Sequence, residues 1–164
     1  MEGLAKNLMS VLFDYNEETG DLIWKLPSYL KQRKGEAVGF INEKGYKEVC
    51  LNHRRYRIHR LVYFMHYGDV PDILDHINND RTDNRIENLR PADSSQNSYN
   101  RKLVGSNKSG IKGVYWSKHN NKWRGQIKVR GKKLHIGYFD TLEEAAVIMK
   151  PAREKLHGEF ANHG

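Results

Sequence analysis

The chain is poor in cysteine, since Cys50 is the only one among 164 residues. A single cysteine cannot form an intrachain disulfide, and it cannot supply the several thiolates of a structural zinc site. Long hydrophobic runs are lacking too, because no segment approaches the roughly 20 apolar residues that span a bilayer. The sequence therefore predicts a soluble, unexported protein of a reducing compartment, and we expect it in the cytoplasm with no membrane partner.

Acidic residues are missing between Asp93 and Asp140, a stretch that holds eleven lysines and arginines. The net charge of +8 originates in this part of the chain: residues 1–100 carry 14 basic and 15 acidic side chains, and residues 101–164 carry 14 and 5. A basic block with interspersed aromatic residues is typical of surfaces that bind the phosphate backbone of nucleic acids. A solvated basic face and attraction to anionic lipid are the alternatives, and the sheet-like pattern favours nucleic acid.

Turn residues divide the first 57 residues into short apolar segments, which predicts β-hairpins. The expected strands cover residues 12–15, 22–24, 37–41 and 46–51, with a reversal at 52–54. Apolar residues then recur at helical spacing from Ile58 to Tyr67 and stop before Gly68. This spacing predicts a helix that supports the segment after it.

A polar segment follows in which Asp75 and His76 are adjacent. We expect a strand over 74–76, a loop over 78–85, a second strand over 86–90, and a helix capped by Asp93 or Ser94. That helix would carry Asn97 on the side that can face the first strand. Three polar side chains would then converge.

These three side chains fit the hydrolysis of a phosphodiester. The Asp75 carboxylate and the Asn97 amide oxygen are hard ligands suited to Mg²⁺ or Mn²⁺, and two protein ligands leave positions for phosphate and water. His76 could take the proton from the attacking water, because imidazole titrates near neutral pH.

The pattern Asp75-His76 … Asn88-Leu89-Arg90 … Gln96-Asn97 resembles the HNH endonucleases, in the branch where asparagine replaces the last histidine, as in phage homing endonucleases. The resemblance covers about residues 36–100. It implies a ββα-metal fold over about 72–103, His76 as general base, Asp75 and Asn97 as metal ligands, and Asn88 as the residue that closes the loop and orients the histidine.

Several neighbouring residues have two interpretations. The acidic and amide residues of the loop could suggest a calcium site, but the terminal bidentate glutamate of an EF-hand is missing, so they are interpreted as loop structure. His59 is either a packing residue or a contact to DNA or the site. Arg85 and Arg90 either meet phosphates or are solvated or paired.

In the last third of the chain the side chains alternate as in a strand. From residue 122 to 130 one parity is basic or polar and the other is apolar, and residues 133–139 are expected to repeat the pattern with Leu134, Ile136 and Tyr138 on the apolar face. Thr141 and Glu144 predict a capping box that opens a helix to about residue 157. Pro151 lies inside this helix and predicts a bend or break near Lys150.

The segments Gly113-Val114-Tyr115-Trp116, Lys122-Trp123-Arg124-Gly125 and Gly137-Tyr138-Phe139-Asp140 look like an APETALA2-type DNA-binding domain spanning about residues 110–159. The resemblance implies a three-stranded antiparallel sheet packed on one helix, with its exposed face in the DNA major groove. The positions that match contact positions of that family are Lys112, Tyr115, Ser117, Arg124, Gln126 and Lys128, together with Lys133 and His135.

The predicted fold class is therefore α+β, with N-terminal hairpins and a helix leading into the HNH module and a sheet-and-helix module after it. The predicted domains are an HNH nuclease domain over 1–104, a flexible linker over 105–110 and a DNA-binding domain over 111–164. The predicted function is a metal-dependent endonuclease of phage type that nicks double-stranded DNA at selected sites, acting in the cytoplasm of a bacterial host. We expect a monomer, with a dimer on DNA left open; a DNA-binding regulator with an inactive nuclease fold is the alternative.

Overall fold

The computed structural model describes residues 6–26 and 34–164. By its contacts the chain divides into two compact units, Met1–Pro91 and Ala92–Gly164. No helix in the described part of the chain is long and apolar enough to cross a membrane. Both units combine small sheets with helices, in agreement with the predicted α+β class.

The first unit contains two helices and seven strands. They are α1 (Lys6–Leu12), β1 (Phe13–Tyr15), β2 (Leu22–Trp24), β3 (Phe40–Ile41), β4 (Lys47–Leu51), β5 (Arg54–Arg57), α2 (Ile58–Tyr67), β6 (Ile73–His76) and β7 (Leu89–Ala92), the last of which crosses into the second unit by one residue. Strands β1 and β2 form a hairpin, β3, β4 and β5 form an antiparallel sheet, and β6 pairs with β7.

The core of the first unit collects apolar side chains from the hairpin, the three-stranded sheet and α2. Phe13, Leu22, Val49, Ile58 and Leu61 are all buried in it. Helix α2 has the predicted bounds, and it ends where Gly68 adopts a left-handed conformation and donates its N–H to the Phe64 carbonyl. Burial of this amphipathic face fixes α2 beside the strands that follow it.

Three details of the first unit differ from the sequence expectations. Helix α1 was not predicted, and its apolar side chains include the fully buried Met9. The strand predicted over 37–41 is reduced to two residues, with Ala37 forming an isolated bridge to Ile23. The strand predicted over 86–90 begins only at Leu89, because residues 86–88 form a 3-10 turn in which Asn88 N–H bonds the Arg85 carbonyl.

The second unit contains α3 (Ser94–Tyr99), β8 (Val114–Ser117), β9 (Lys122–Val129), β10 (Lys132–Phe139) and α4 (Leu142–His157). The three strands form an antiparallel sheet with β9 in the centre, and α4 packs on β9 and β10. Gly125 permits this approach, since a Cβ there would lie 2.7 Å from the Met149 sulfur and 2.8 Å from the Phe139 ring. The predicted sheet-and-helix arrangement is present.

The predicted alternation along β10 is wrong after its middle. His135 pairs with Gln126 but Gly137 pairs with Gly125, so β10 contains a bulge at this point. The bulge shifts the parity, because Tyr138 is 40% exposed and Phe139 is buried. Leu134 is also exposed instead of covered.

Helix α4 runs without interruption through Pro151, so the predicted break does not occur. The proline removes one N–H donor that would have bonded the Val147 carbonyl. Val147 is 71% exposed, which places that turn of the helix beside solvent. Water can therefore satisfy the carbonyl. At the start of the helix Thr141 accepts from Glu144 N–H, while the Glu144 carboxylate accepts from Asp140 N–H.

The contacts of α3 place it in the second unit, whereas the sequence interpretation put the domain boundary at residue 104. The Tyr99 ring stacks on His157 with 3.8 Å between ring centroids. Residues 105–110 are also bonded into this unit instead of forming a free linker: Asn107 Oδ1 accepts from the N–H groups of Ser109 and Gly110, and Ser109 Oγ donates to the Val114 carbonyl.

Gly20 provides a test of how the first hairpin supports the 77–88 loop. Its φ is +73° and a Cβ would lie 2.3 Å from the Arg85 nitrogen, whereas Gly45, with φ +79°, has nothing within 4 Å. We expect Gly20→Ala to lower the free energy of unfolding by about 3 kcal/mol and Gly45→Ala by about 1 kcal/mol, because only the first adds a backbone clash to the left-handed strain. Urea denaturation measures both, and equal losses would show that the hairpin does not press on the loop.

Candidate active site

Asp75 and His76 are the last two residues of β6, and both side chains are buried, at 6% and 5% exposed. Buried polar groups are costly unless hydrogen-bonded, so their partners define the site. Those partners come from β7 and from the loop between β6 and β7.

Arg90 of β7 holds the Asp75 carboxylate. Its Nε and Nη2 atoms each lie 3.1 Å from Oδ2, and the two side chains are 11% and 7% exposed. The guanidinium therefore fixes the position of the carboxylate and compensates its charge inside the protein. Of the two interpretations open for Arg90, pairing is the one observed.

Asn84 holds the imidazole of His76. Its Oδ1 lies 3.3 Å from His76 Nε2, and Asn84 is fully buried. A carbonyl oxygen only accepts, so this contact places the proton on Nε2 and makes Nδ1 the basic nitrogen of the neutral ring. Burial lowers the pKa of His76 below its ordinary value, against the opposing effects of the Asn84 contact and nearby aspartates. A neutral ring is the form that can accept a proton.

His59 and Tyr46 pack beside His76. The ring centroids of His59 and His76 are 4.8 Å apart, and those of Tyr46 and His76 are 6.1 Å apart. Burial, reinforced by His76, lowers the pKa of His59 to about 3. His59 is 3% exposed and its Nδ1 atom has no hydrogen-bond partner. The structure thus places His59 against the site as a neutral ring from α2.

Tyr46 also carries two arginines. The guanidinium carbons of Arg57 and Arg81 lie 4.6 Å and 4.9 Å from its ring centroid. Arg81 Nη1 in addition donates to the Lys44 carbonyl at 2.7 Å. Cations near an imidazole base form an environment suited to a phosphate-bearing substrate.

Asn88 closes the loop. Its side-chain oxygen accepts from Asn78 N–H at 3.0 Å, and its amide nitrogen donates to Asn78 Oδ1 and to the Asp83 carbonyl. The resemblance also gave Asn88 the role of orienting the histidine, yet the contact to the His76 ring comes from Asn84. The sequence offered no signal for Asn84, which lies among several polar residues interpreted as loop structure.

Asp83 and Arg85 complete the loop. Arg85 donates to both carboxylate oxygens of Asp83, and this contact lowers the pKa of Asp83 to about 2. Arg85 Nη1 also lies 3.1 Å from Glu87. Arg85 is therefore paired within the loop.

Asn97 lies on α3 in the second unit, after the capping box between Asp93 and Gln96 that the sequence predicted. It lines a cavity of about 380 Å³ together with Arg101 and Lys128. Because Asp75 belongs to the first unit, the assignment of these two residues as a metal-ligand pair stays a prediction. Among the described residues, no three His, Cys, Asp or Glu side chains cluster as a metal site. A site of one carboxylate and one amide remains compatible with that observation.

Strand pairing brings most of the predicted DNA-contacting residues together. Tyr115 pairs with Arg124, His135 with Gln126, and Lys133 with Lys128. Ser117 pairs with Lys122 at the end of β8. Tyr115 Oη donates to Gln126 Oε1 at 3.0 Å, and the Arg124 guanidinium lies 5.8 Å from the Tyr115 ring centroid.

Lys112 differs from this set because it precedes β8 and its ammonium group is engaged. The Nζ atom donates to the carbonyls of Tyr99 and Arg101. Burial, with a contribution from Arg153, lowers the pKa of Lys112 to about 8. Its predicted role as a DNA contact is untested by these bonds.

Comparison with known proteins follows the same division. Residues 56–99, which contain the Asp75-His76 site, match the HNH endonuclease family. Protein 3.8 of Escherichia phage T7 is 38% identical over 120 residues, covering 72% of this chain and 96% of that protein. The chain belongs to the HNH endonuclease family.

A second relative is viral as well. A protein of Acanthamoeba polyphaga mimivirus, named an uncharacterized HNH endonuclease, is 33% identical over 125 residues, covering 74% of this chain and 64% of that protein. No solved structure matches the chain. The family membership supports a nuclease.

The buried pair between Asp75 and Arg90 gives a stability prediction for this HNH site. We expect Arg90→Ala to lower the free energy of unfolding by about 3 kcal/mol, because it leaves a buried carboxylate without its guanidinium. Lys25→Ala breaks the exposed pair with Asp14, 3.1 Å apart, and should cost less than about 1 kcal/mol. Thermal or urea denaturation of the two variants decides; a loss for Arg90→Ala no larger than for Lys25→Ala would contradict the role given to Arg90.

Proposed function

We propose that the protein is a metal-dependent DNA endonuclease that nicks double-stranded DNA at selected sites, in the manner of phage homing endonucleases. The observation that carries the proposal is the buried Asp75-His76 dipeptide, with the carboxylate held by Arg90 and the imidazole held by Asn84. A buried, oriented and neutral imidazole next to a fixed carboxylate is an arrangement for activating water.

His76 acts as the general base in this proposal. The Asn84 contact presents Nδ1 as the acceptor of the proton from the attacking water. General-base assistance of this kind contributes about 10² to 10⁴ in rate. His59 and Tyr46 exclude water from the faces of the ring that they cover.

Asp75 and Asn97 are the proposed ligands of Mg²⁺ or Mn²⁺. Carboxylate and amide oxygens are the hard donors that these ions prefer. A bound divalent ion would polarise the phosphoryl group and stabilise the departing oxygen. Arg90 keeps the Asp75 carboxylate in place.

The second unit is proposed to hold the DNA as an APETALA2-type domain. Its exposed sheet face carries Arg124, Gln126 and Lys128 in alternate positions of β9. An arginine and a glutamine on such a face can read base edges in the major groove, and lysines can meet phosphates. One catalytic histidine per chain favours cleavage of one strand at a time.

Conversion of supercoiled plasmid to open circle in Mg²⁺ tests the proposal. We expect His76→Ala to lower the nicking rate by at least about 10²-fold, because it removes the base, while DNA binding measured in EDTA is kept. His119→Ala, at an exposed position in the turn before β9, serves as the matched histidine control and should nick like the wild type.

Undiminished nicking by His76→Ala would overturn the assignment. Binding in EDTA without any cleavage by the wild type in Mg²⁺ or Mn²⁺ would instead identify a DNA-binding protein with an inactive nuclease fold.

A further inference from the structure

The second unit contains a cavity of about 190 Å³ with an unusual concentration of cations. Its lining includes Lys112, Lys128, Lys133 and Arg153, together with the imidazole of His157. No aspartate or glutamate is among the described residues that line it. A cavity surrounded by four formal positive charges is a site for an anion.

The two buried cations are hydrogen-bonded but not neutralised. Arg153, 3% exposed, donates to the Lys112 carbonyl and contacts His163 Nδ1, and the Lys112 ammonium donates to two backbone carbonyls. These acceptors are uncharged. Within residues 6–26 and 34–164, no carboxylate lies within 4.0 Å of any of the four cations, since Glu154 pairs with His163. The lowered pKa of Lys112 reflects burial beside another cation.

The two exposed cations are placed directly opposite each other. Lys128 of β9 pairs with Lys133 of β10 in the sheet register, and both side chains are exposed. Like charges in directly opposed positions destabilise an antiparallel pair. An anion between two ammonium groups would turn this repulsion into attraction.

The cavity also adjoins the one that contains Asn97. The two cavities share Ser98, Tyr99 and Lys128 as lining residues. Lys128 can therefore reach a ligand in either cavity. If Asn97 serves the reaction as proposed above, a DNA strand held there has its next phosphates within reach of this cationic cavity.

We propose that the cavity lined by Lys112, Lys128, Lys133 and Arg153 binds a phosphate group. Exposed Lys128 and Lys133 bind its oxygens directly, while buried Arg153 and Lys112 supply a fixed positive field. The cavity is several times larger than the roughly 30 Å³ that a water occupies in the liquid, so a tetrahedral oxyanion has room. The same chemistry fits a DNA phosphodiester or free phosphate; the DNA source rests on the proposed function.

The first experiment is calorimetric titration of the full chain with inorganic phosphate, without divalent metal. We expect Lys128→Ala and Lys133→Ala each to weaken phosphate binding about tenfold, because each removes one charge-assisted hydrogen bond. Lys132→Ala removes the same charge from the neighbouring position of β10, which does not line the cavity, and should bind like the wild type. Both tested lysines are exposed, and thermal unfolding checks that each variant is folded.

The second experiment separates the two sources of phosphate. The affinity for uncleaved duplex DNA is measured in EDTA over a range of salt concentrations. If the ligand is the DNA backbone, Lys133→Ala should reduce the slope of log affinity against log salt by about 0.9, the value for one lost phosphate contact, and Lys132→Ala should not.

Each outcome has one meaning. Weaker phosphate binding in Lys128→Ala and Lys133→Ala with an unchanged DNA slope supports the cavity and identifies free phosphate as the ligand. Wild-type phosphate affinity in both variants, or the same loss in Lys132→Ala, overturns the cavity. Neither readout requires cleavage, so an absence of nicking would overturn the proposed function and leave these results interpretable.

Discussion

The site depends on closing the loop between β6 and β7 over buried polar side chains. Asp75, His76, Asn84 and Asn88 are each at most 6% exposed. Burial of such groups is unfavourable unless they are hydrogen-bonded, so each must find its partner in one loop conformation. Arg90 provides the partner for Asp75, and Asn84 provides the one for the imidazole. The chemistry proposed for the site therefore follows from the same contacts that make the loop stable.

Other parts of the first unit support this closed loop. Tyr15 of β1 accepts the Ile86 N–H at 2.8 Å, and Gly20 lies against the backbone of Asn84 and Arg85. Helix α2 contributes His59 to the neighbourhood of His76. The N-terminal hairpin is thus a structural element of the site, although no residue of the hairpin was a candidate for function.

The sequence predicted most regular elements because their patterns are local. The apolar spacing of α2 and the alternation of β9 both report burial within one element, and the capping residue Asp93 acts on its own turn. The misses have physical causes that are not local. The bulge in β10 depends on its pairing with β9, and the continuity of α4 through Pro151 depends on a solvent-exposed turn. The contact between Asn84 and His76 depends on how the whole loop closes.

The central claim is that Asn84 orients the base His76, and the steady-state kinetics of plasmid nicking by Asn84→Ala and Asn84→Asp test it most directly. Removing the acceptor should lower kcat about tenfold or more with little change in KM, as for other residues that orient a catalytic group. Asn84→Asp should retain more activity, since its carboxylate can still accept from Nε2–H. An unchanged kcat for Asn84→Ala in a folded protein would contradict the account.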